Sequence, residues 1–592
     1  MTSTHRTGQS ANGGPAGRPG PAAATASDAA PGGLSHRQIL TILSGLMLGM
    51  FLASLDQTIV STAIRTIADD LHGLNEQAWT TTAYLITSTI ATPLYGKLSD
   101  IYGRKPFFLA AISIFIIGSI ACTFSHSMVE LAVFRAFQGL GAGGLMSLAL
   151  AIIGDIVPPR ERARYQGYIL AVFGTSSVAG PLVGGFLAGR SSILGISGWR
   201  WVFLVNVPIG ILALIVVAKV LNVPHKRRDH RIDWWGALTI VVGVVPLLLV
   251  SEQGQSWGWL SVRAVACFVT GVVGVVAWVL VEFAMGDEAL IPMRLFRNKV
   301  FSRTSLLSVL VGMAMFGGLL MIPQYLQIVK GASPTRSGLL MLPLMLGMMT
   351  ASIATGQTTA RTGRYKIFPV IGTALMCVAM LLFHFEVQWD TPLPETMGFM
   401  ALMGVGLGFT MQTLTLSVQN AVPPQDMGTA TASATFFRQL GGTAGTAVFL
   451  SILFSTVTGN ITKAFRHAAG NPDFQAAVRA HPGAVSPASA KAVLSDSSFI
   501  RQLDPALAAP FKQGFADSMH LVFLIVAGVA ALCFLLMLTI REVPLRRLSG
   551  AQARAAAEAA EADVASATAG GPAVPEPARQ ARTPAAADDT EH

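Results

Sequence analysis

The sequence predicts an all-α polytopic membrane protein: two six-helix halves with two extra helices inserted between them, fourteen membrane-crossing helices in all. Three observations predict it. Of 592 residues, 52% are hydrophobic and only 12% charged, with a mean hydropathy of +0.56, a balance foreign to water-soluble chains of this size. Apolar runs of about 20 residues or more, the length needed to cross a bilayer as a helix, recur along the chain. A short basic turn, Gly96 to Pro106, also returns in worn form at Gly356. Internal repetition in a membrane chain marks two related halves.

Taken in order, the apolar spans are 39–65, 78–98, 107–126, 129–156, 164–189, 199–222, 234–252, 262–284, 300–328, 335–358, 366–386, 396–421, 427–457 and 518–540. They divide the chain into five parts. Residues 1–35 are rich in Gly, Ala, Pro and Ser and read as a disordered cytoplasmic N-terminus. Residues 36–222 form the first half, 223–299 the inserted pair and its linker, and 300–545 the second half. An external loop, 458–517, belongs to the second half, and 546–592 are a low-complexity cytoplasmic tail. An even number of spans places both termini on one side. Loops on that side carry twenty Lys and Arg, the short loops opposite about five. Positive charge collects in the cytoplasm, so both termini are expected there, with the chain multi-pass in the cell membrane. The net charge of +10 lies in these loops and does not point to nucleic acid. Cys122, Cys267, Cys377 and Cys533 fall in four different spans and read as small hydrophobes outside any disulfide framework.

The turn itself reads Gly96-Lys-Leu-Ser-Asp100-Ile-Tyr-Gly103-Arg104-Lys105-Pro106. Gly103 suits a turn that needs positive φ. Asp100 stands among cations, which predicts pairing or helix capping. In the copy, Gly356, Gly363 and Arg364 match Gly96, Gly103 and Arg104, while Ala360 replaces the acid. The copy lies eight spans on where six would separate two plain halves, which marks spans 7 and 8 as the insertion.

Span 1 carries Gly45, Gly49, Ala53 and Asp56 on one face. Asp56 lies about 12 Å inside the outer end, at 1.5 Å per residue. A carboxylate there costs about 2.5–3.5 kcal/mol on insertion scales. It is either a proton or cation site, or a structural acid paired to a neighbouring helix. Arg135 in span 4 lies at a similar depth, about 10 Å in, so the two either exchange a proton relay or form a static pair. Span 5 has Gly174, Gly180, Pro181, Gly184 and Gly185, a kinked packing face. In the second half, Met341, Met345 and Met348 share one face, and Met397, Met400 and Met403 another. These are either an adaptable pocket lining or packing filler. Arg438 lies about 16 Å into span 13, with no acid visible in the second-half core. It either meets substrate or ties backbone carbonyls.

Together these residues resemble the major facilitator superfamily, and within it the fourteen-helix drug:proton antiporters, over residues 36–545. Gly96–Pro106 is similar to the superfamily's turn between helices 2 and 3. Leu55-Asp56-Gln57-Thr58-Ile59-Val60 is similar to the helix 1 motif of the fourteen-helix group. Arg135-Ala136-Phe137-Gln138-Gly139 is similar to the helix 4 motif, and Gly174 to Gly185 to the antiporter motif of helix 5.

The resemblance implies the major facilitator fold and proton-coupled efflux of amphipathic drugs or antibiotics by alternating access. The work would be done as a monomer, with no cofactor or metal and with no enzyme activity. It implies Asp56 as the protonation site with Arg135 as partner. It implies Asp100 facing the amino end of span 11, Arg104 paired with Asp155, and Gly96, Gly103 and Lys105 completing a conformational latch. Gly180 and Pro181 would serve a hinge. Substrate-pocket candidates are Gln138, Gln324, Tyr325, Met345, Gln412, Phe437 and Arg438. Ser61 and Arg65 depart from the pattern, standing where relatives often carry Asn and Pro. Spans 10 and 13 lack the acid found in some exporters of organic dications. With Arg135 and Arg438 set against Asp56, a neutral, zwitterionic or weakly acidic solute is as compatible as a cation. A lipid or glycolipid transporter of the same fold is the alternative, and a small-solute facilitator fits less well. No HExxH, GxSxG or Walker lysine loop occurs.

Overall fold

The computed structural model describes residues 36–72, 77–221, 233–480, 500 and 503–545. The expectations for residues 1–35, for 223–232 ahead of the inserted pair and for the tail 546–592 lie outside the described residues, as does most of 481–502.

The first half contains α1 (His36–Asp70), α2 (Gln77–Tyr102), α3 (Arg104–Thr123), α4 (Met128–Ile156) and α5 (Pro159–Ala188). A two-residue antiparallel hairpin, Ser192–Ile193 with Ile196–Ser197, then leads into α6 (Trp201–Leu204) and α7 (Asn206–Val220). The break between α6 and α7 follows from Pro208, which has no N–H to give the carbonyl of Leu204. Next come α8 (Trp234–Trp257), α9 (Val262–Met285) and a short linker helix, α10 (Arg294–Arg297). The rest are α11 (Lys299–Gln324), α12 (Pro334–Leu340), α13 (Leu342–Thr362), α14 (Ile367–Phe385), α15 (Leu393–Ala421), α16 (Met427–Ala468), α17 (Pro472–Ala480) and α18 (Pro505–Leu538). Short polar residues start many of these helices. Ser127, Asp233, Ser261, Asn298, Ser333 and Asp504 each accept a backbone N–H of the first turn, which satisfies donors that the helix itself leaves free.

Among the described residues, thirteen helices are long and apolar enough to cross a membrane, one fewer than the sequence predicts. The helix outside that set is α2. It packs between α4, α8 and α16, so its environment is protein. Its buried Thr80, Thr82, Thr89, Thr92 and Ser99 lower its hydropathy. Thr89 and Thr92 turn their hydroxyls back onto the carbonyls of Leu85 and Ser88, at 2.8 and 2.9 Å.

Two span boundaries also need correction. α16 runs on to Ala468 and α18 begins at Pro505. The described part of the expected external loop 458–517 is therefore mainly helix. Apolar contacts carry this extension: Ile461, Phe511 and Phe515 join the core of the second half.

Each half buries a core of its own. Leu46, Phe108, Phe115, Leu145 and Ile152 centre one; Met380, Met403, Phe449, Phe515 and Phe523 centre the other. The helix bodies meet along two seams, α2 against α16 and α5 against α13. The inserted pair packs on itself, with α8 also touching α2 and α16, so it flanks the first seam. Its buried acids organise the linker that follows. Glu282 accepts the indole N–H of Trp278 at 2.6 Å and the backbone N–H of Ile291 at 2.9 Å. Asp233 caps α8 through Gly236 and accepts from Leu290.

Candidate functional site

The central feature of the first half is a buried charged cluster on α1, α4 and α7. Asp56 and Arg135 form an ion pair, Nη1 to Oδ2 at 2.5 Å, with both side chains almost wholly buried. Gln138, one turn beyond Arg135, donates Nε2 to Asp56 Oδ1 at 3.0 Å, and its Oε1 accepts from Arg135 at 2.8 Å. Asn206 donates Nδ2 to the same Oδ1 at 2.7 Å and to Ser119 Oγ at 3.0 Å. The Arg135 guanidinium also lies 4.0 Å from the centroid of the Tyr84 ring, a cation–π contact. One carboxylate thus holds four elements, counting α3 through Ser119. Arg135 Nε and Asn206 Oδ1 are buried and make no hydrogen bond. Asn206 was missed as a site residue by sequence reasoning. It stands in Phe203-Leu-Val-Asn206-Val-Pro208, where a polar side chain within an apolar run was the available signal.

The second cluster is the turn between α2 and α3. Gly103 has φ of 102°, a conformation that side chains rarely adopt; Gly363, its copy, caps α13 with φ of 71°. Arg104 holds Asp155 through Nε at 2.8 Å, Asp100 through Nη2 at 2.5 Å and Ser99 Oγ through Nη1 at 2.5 Å. The pairing of Arg104 with Asp155 is where the resemblance places it. Asp100 is not at the amino end of the eleventh span. Its Oδ2 accepts from Thr429 in the first turn of α16, from the backbone N at 2.7 Å and from Oγ1 at 3.0 Å. Both expected roles, pairing and capping, meet in this one side chain. Gly96 faces Ala432 across the same seam, and Lys105 is half-buried beside it. Lys97 donates to the carbonyl of Asp287 at 2.9 Å, and Arg294 of α10 bridges Asp287 and Asp426 at 2.6 and 2.9 Å. The linker thereby fastens to α2 and to the start of α16.

Gly180 and Pro181 of α5 line two different contacts. A Cβ at Gly180 would collide with Thr58 of α1, whereas Pro181 approaches Gly338 of α12. Ser54 and Ser176 share a hydrogen bond of 2.5 Å at the same α1–α5 crossing.

The pocket candidates divide. Gln138 belongs to the Asp56 cluster. Tyr325 is buried and spends its hydroxyl on the carbonyl of Gln388, at 2.7 Å, so it ties a loop. Phe437 packs edge-on against Phe296 of α10, with ring centroids 6.2 Å apart. Met400 and Met403 are fully buried in the second core, with Met348 and Met397 packed on it, so much of the methionine stripe is packing. Gln324, Met345 and Arg438 are half-buried. Gln412 is buried with neither amide atom hydrogen-bonded.

A buried ion pair inside one half of a bundle of apolar helices, with two separately packed halves that meet on two seams, defines a polytopic membrane transporter built from two halves. The chain belongs to the Major Facilitator Superfamily, whose profile matches residues 46–446. It is 38% identical over 505 residues to an uncharacterized MFS-type transporter of Mycobacterium tuberculosis, covering 85% of this chain and 70% of the relative. It is 36% identical over 422 residues to the multidrug transporter protein MdtP of Bacillus subtilis, covering 71% and 76%. It is 30% identical over 515 residues to the MFS-type efflux pump LUC4 of a Fusarium species, covering 85% and 88%. Among solved structures the proton:xylose symporter XylE superposes with a TM-score of 0.55 at 14% identity, covering 88% of this chain and all of that one. That last likeness shows the fold.

Proposed function

We propose that this protein exports amphipathic small molecules, drugs or antibiotics among them, across a bacterial cytoplasmic membrane in exchange for protons. The names of the multidrug and efflux relatives support the export of drugs. The observation that carries proton coupling is Asp56 of α1, a fully buried carboxylate held by Arg135 and Gln138 of α4 and by Asn206 of α7. An acid in the membrane interior is costly and is kept where it moves charge.

The cycle follows from electrostatics. A proton arriving from outside neutralises Asp56 and turns its tie to Arg135 from a charge pair into a hydrogen bond. In a low-dielectric interior that difference is large, so α1, α4 and α7 loosen together. The halves then rock on the α2–α16 and α5–α13 seams. The cytoplasmic seam releases Asp100 from Thr429, substrate enters from inside, and loss of the proton inward restores the pair. One proton entering down about 100 mV supplies about 2.3 kcal/mol. No step calls for a cofactor, and one polypeptide suffices.

The test is transport in proteoliposomes under an imposed proton gradient, wild type against Asp56→Asn, with cationic, neutral and anionic fluorescent dyes. The expected outcome is uphill transport by wild type and dye binding without uphill transport by the variant. Gradient-driven transport by Asp56→Asn at the wild-type rate would make Asp56 a structural acid and end the proposal.

A further inference from the structure

Arg438 is the one pocket candidate whose charge the first half does not explain. It lies eleven residues into α16, about 16 Å from the helix start at the usual rise. Among the described residues it makes no hydrogen bond and no ion pair. Its surroundings change at that point. Residues 427–436 of α16 are buried on every side, as are Gly441 and Gly442, while Phe437, Arg438, Gln439 and Leu440 are each partly exposed. Four successive side chains point in four directions about 100° apart, so the helix is less completely enclosed at this level than over 427–436. α16 meets α2 where Gly96 faces Ala432, and Phe436 joins Ile86 and Ile90 of α2 in a buried cluster. Arg438 thus stands two residues past a contact between the two halves.

Its immediate neighbours offer little to satisfy it. The backbone carbonyl of Arg438 lies tight against Gly312 of α11, which brings α11 and α16 together. Gln439 Oε1, next in the chain, is buried without a hydrogen bond. From α11 to α18 the acids within the α-helices are Glu395 in the first turn of α15, Asp473 in the first turn of α17 and Asp517 of α18, with Glu386 just after α14; Glu386, Asp473 and Asp517 are exposed. In the first half Asp56 and Arg135 cancel each other. The interior therefore carries an unmatched guanidinium with five donors and no acceptor, in a setting where such a group calls for an anion.

Resting on the export reading above, we infer that Arg438 recognises an anionic group on the transported molecule. The substrate class is an amphipathic organic acid: a carboxylate, sulfonate or phosphate joined to an apolar body. The fork geometry of guanidinium favours such groups by bidentate hydrogen bonding. An anion leaving in exchange for entering protons also carries net positive charge inward. The inside-negative membrane potential would then assist export of this class more than export of a cation.

The test is a binding measurement that needs no gradient, so it stands or falls separately from proton coupling. Purified protein in maltoside detergent is titrated with matched fluorescent pairs, rhodamine B against its ethyl ester and fluorescein against its methyl ester. Wild type should bind the acids about ten- to a hundredfold more tightly than the esters. Arg438→Gln should abolish that preference, and Arg438→Lys should keep part of it, with gel filtration confirming that both variants remain monodisperse. The proposal is overturned if wild type binds none of the acids, if it binds each ester as tightly, or if Arg438→Gln keeps the preference. Displacement of the acid dyes by equimolar phosphatidylglycerol would assign the site to a lipid phosphate and overturn the diffusible-acid reading as well.

Discussion

Asp100, at the end of α2, serves as the N-terminal cap of α16. Its Oδ2 takes the backbone N–H of Thr429, at 2.7 Å, and that residue's hydroxyl, at 3.0 Å. The residue just before α16, Asp426, makes no such cap with its own side chain. The two residues are 329 positions apart and belong to different halves. A helix start presents unpaired N–H groups and a partial positive charge, so the acid closes a seam while completing a helix. Asp100→Ala removes both effects. Loss of a cap costs about 1 kcal/mol, and Arg104 loses one of its two acids. The expected outcome is a fall in transport of at least about tenfold with the helical content unchanged, measured by dye export and far-ultraviolet circular dichroism.

Arg104 and Arg294 both bridge two acids, yet burial separates their weights. Arg104 is buried with Asp155, and removing it strands two carboxylates away from water. Breaking a buried pair costs about 3–5 kcal/mol, so Arg104→Ala should lower the thermal midpoint strongly and reduce expression. Arg294 is 37% exposed and its partner Asp287 71% exposed. Exposed pairs are worth about 0–1 kcal/mol, and the second acid of Arg294, Asp426, is 12% exposed, so Arg294→Ala should lower the midpoint by a few degrees at most, less than Arg104→Ala. Comparable losses for the two variants would contradict this ranking. Differential scanning fluorimetry in detergent makes the comparison.

Asn206→Leu tests the cluster without touching its charges. The substitution takes one of the two donors to Asp56 Oδ1 and removes the donor to Ser119 Oγ. An unsatisfied buried acceptor costs about 1–3 kcal/mol. The variant should melt earlier than wild type, and Asn206→Asp, which sets a second carboxylate against Asp56, should be worse still. A melting temperature equal to wild type for Asn206→Leu would show that Asn206 does not hold the cluster.

Gly180 and Gly185 lie on one helix and predict opposite results. A methyl group at Gly180 meets Thr58 of α1, whereas one at Gly185 meets nothing within 4 Å. Overpacking costs about 1–3 kcal/mol. Gly180→Ala should therefore impair transport and stability together, while Gly185→Ala should behave as wild type in both assays.

Much of this molecule was legible before any coordinates. Hydropathy finds helices because the bilayer leaves backbone groups no partner outside the helix. The signal is weakest for α2, read at 78–98 and observed at Gln77–Tyr102: it packs between α4, α8 and α16, so its composition has less lipid to match. Hydropathy fails at the ends of α16 and α18, where Ile461 and Phe515 continue the packing past the apolar run. The family resemblance implied the pairing of Arg104 with Asp155, and the similar depths of Asp56 and Arg135 left a relay or a static pair open; both ion pairs are present in the structure. The methionine stripe read as pocket or filler, and burial of Met400 and Met403 decided for filler.

By itself the sequence determined that the chain is a bundle of membrane helices with a repeated turn, one interior acid and two interior arginines. These are properties of composition, period and local chemistry, and each residue carries them wherever it lies. Only the tertiary structure decided which arginine the acid meets, that Asn206 joins them, that Asp100 caps α16, and that Arg438 has no partner among the described residues. Those are relations between residues tens to hundreds of positions apart, and they arise from how helices pack side by side, which no local pattern encodes.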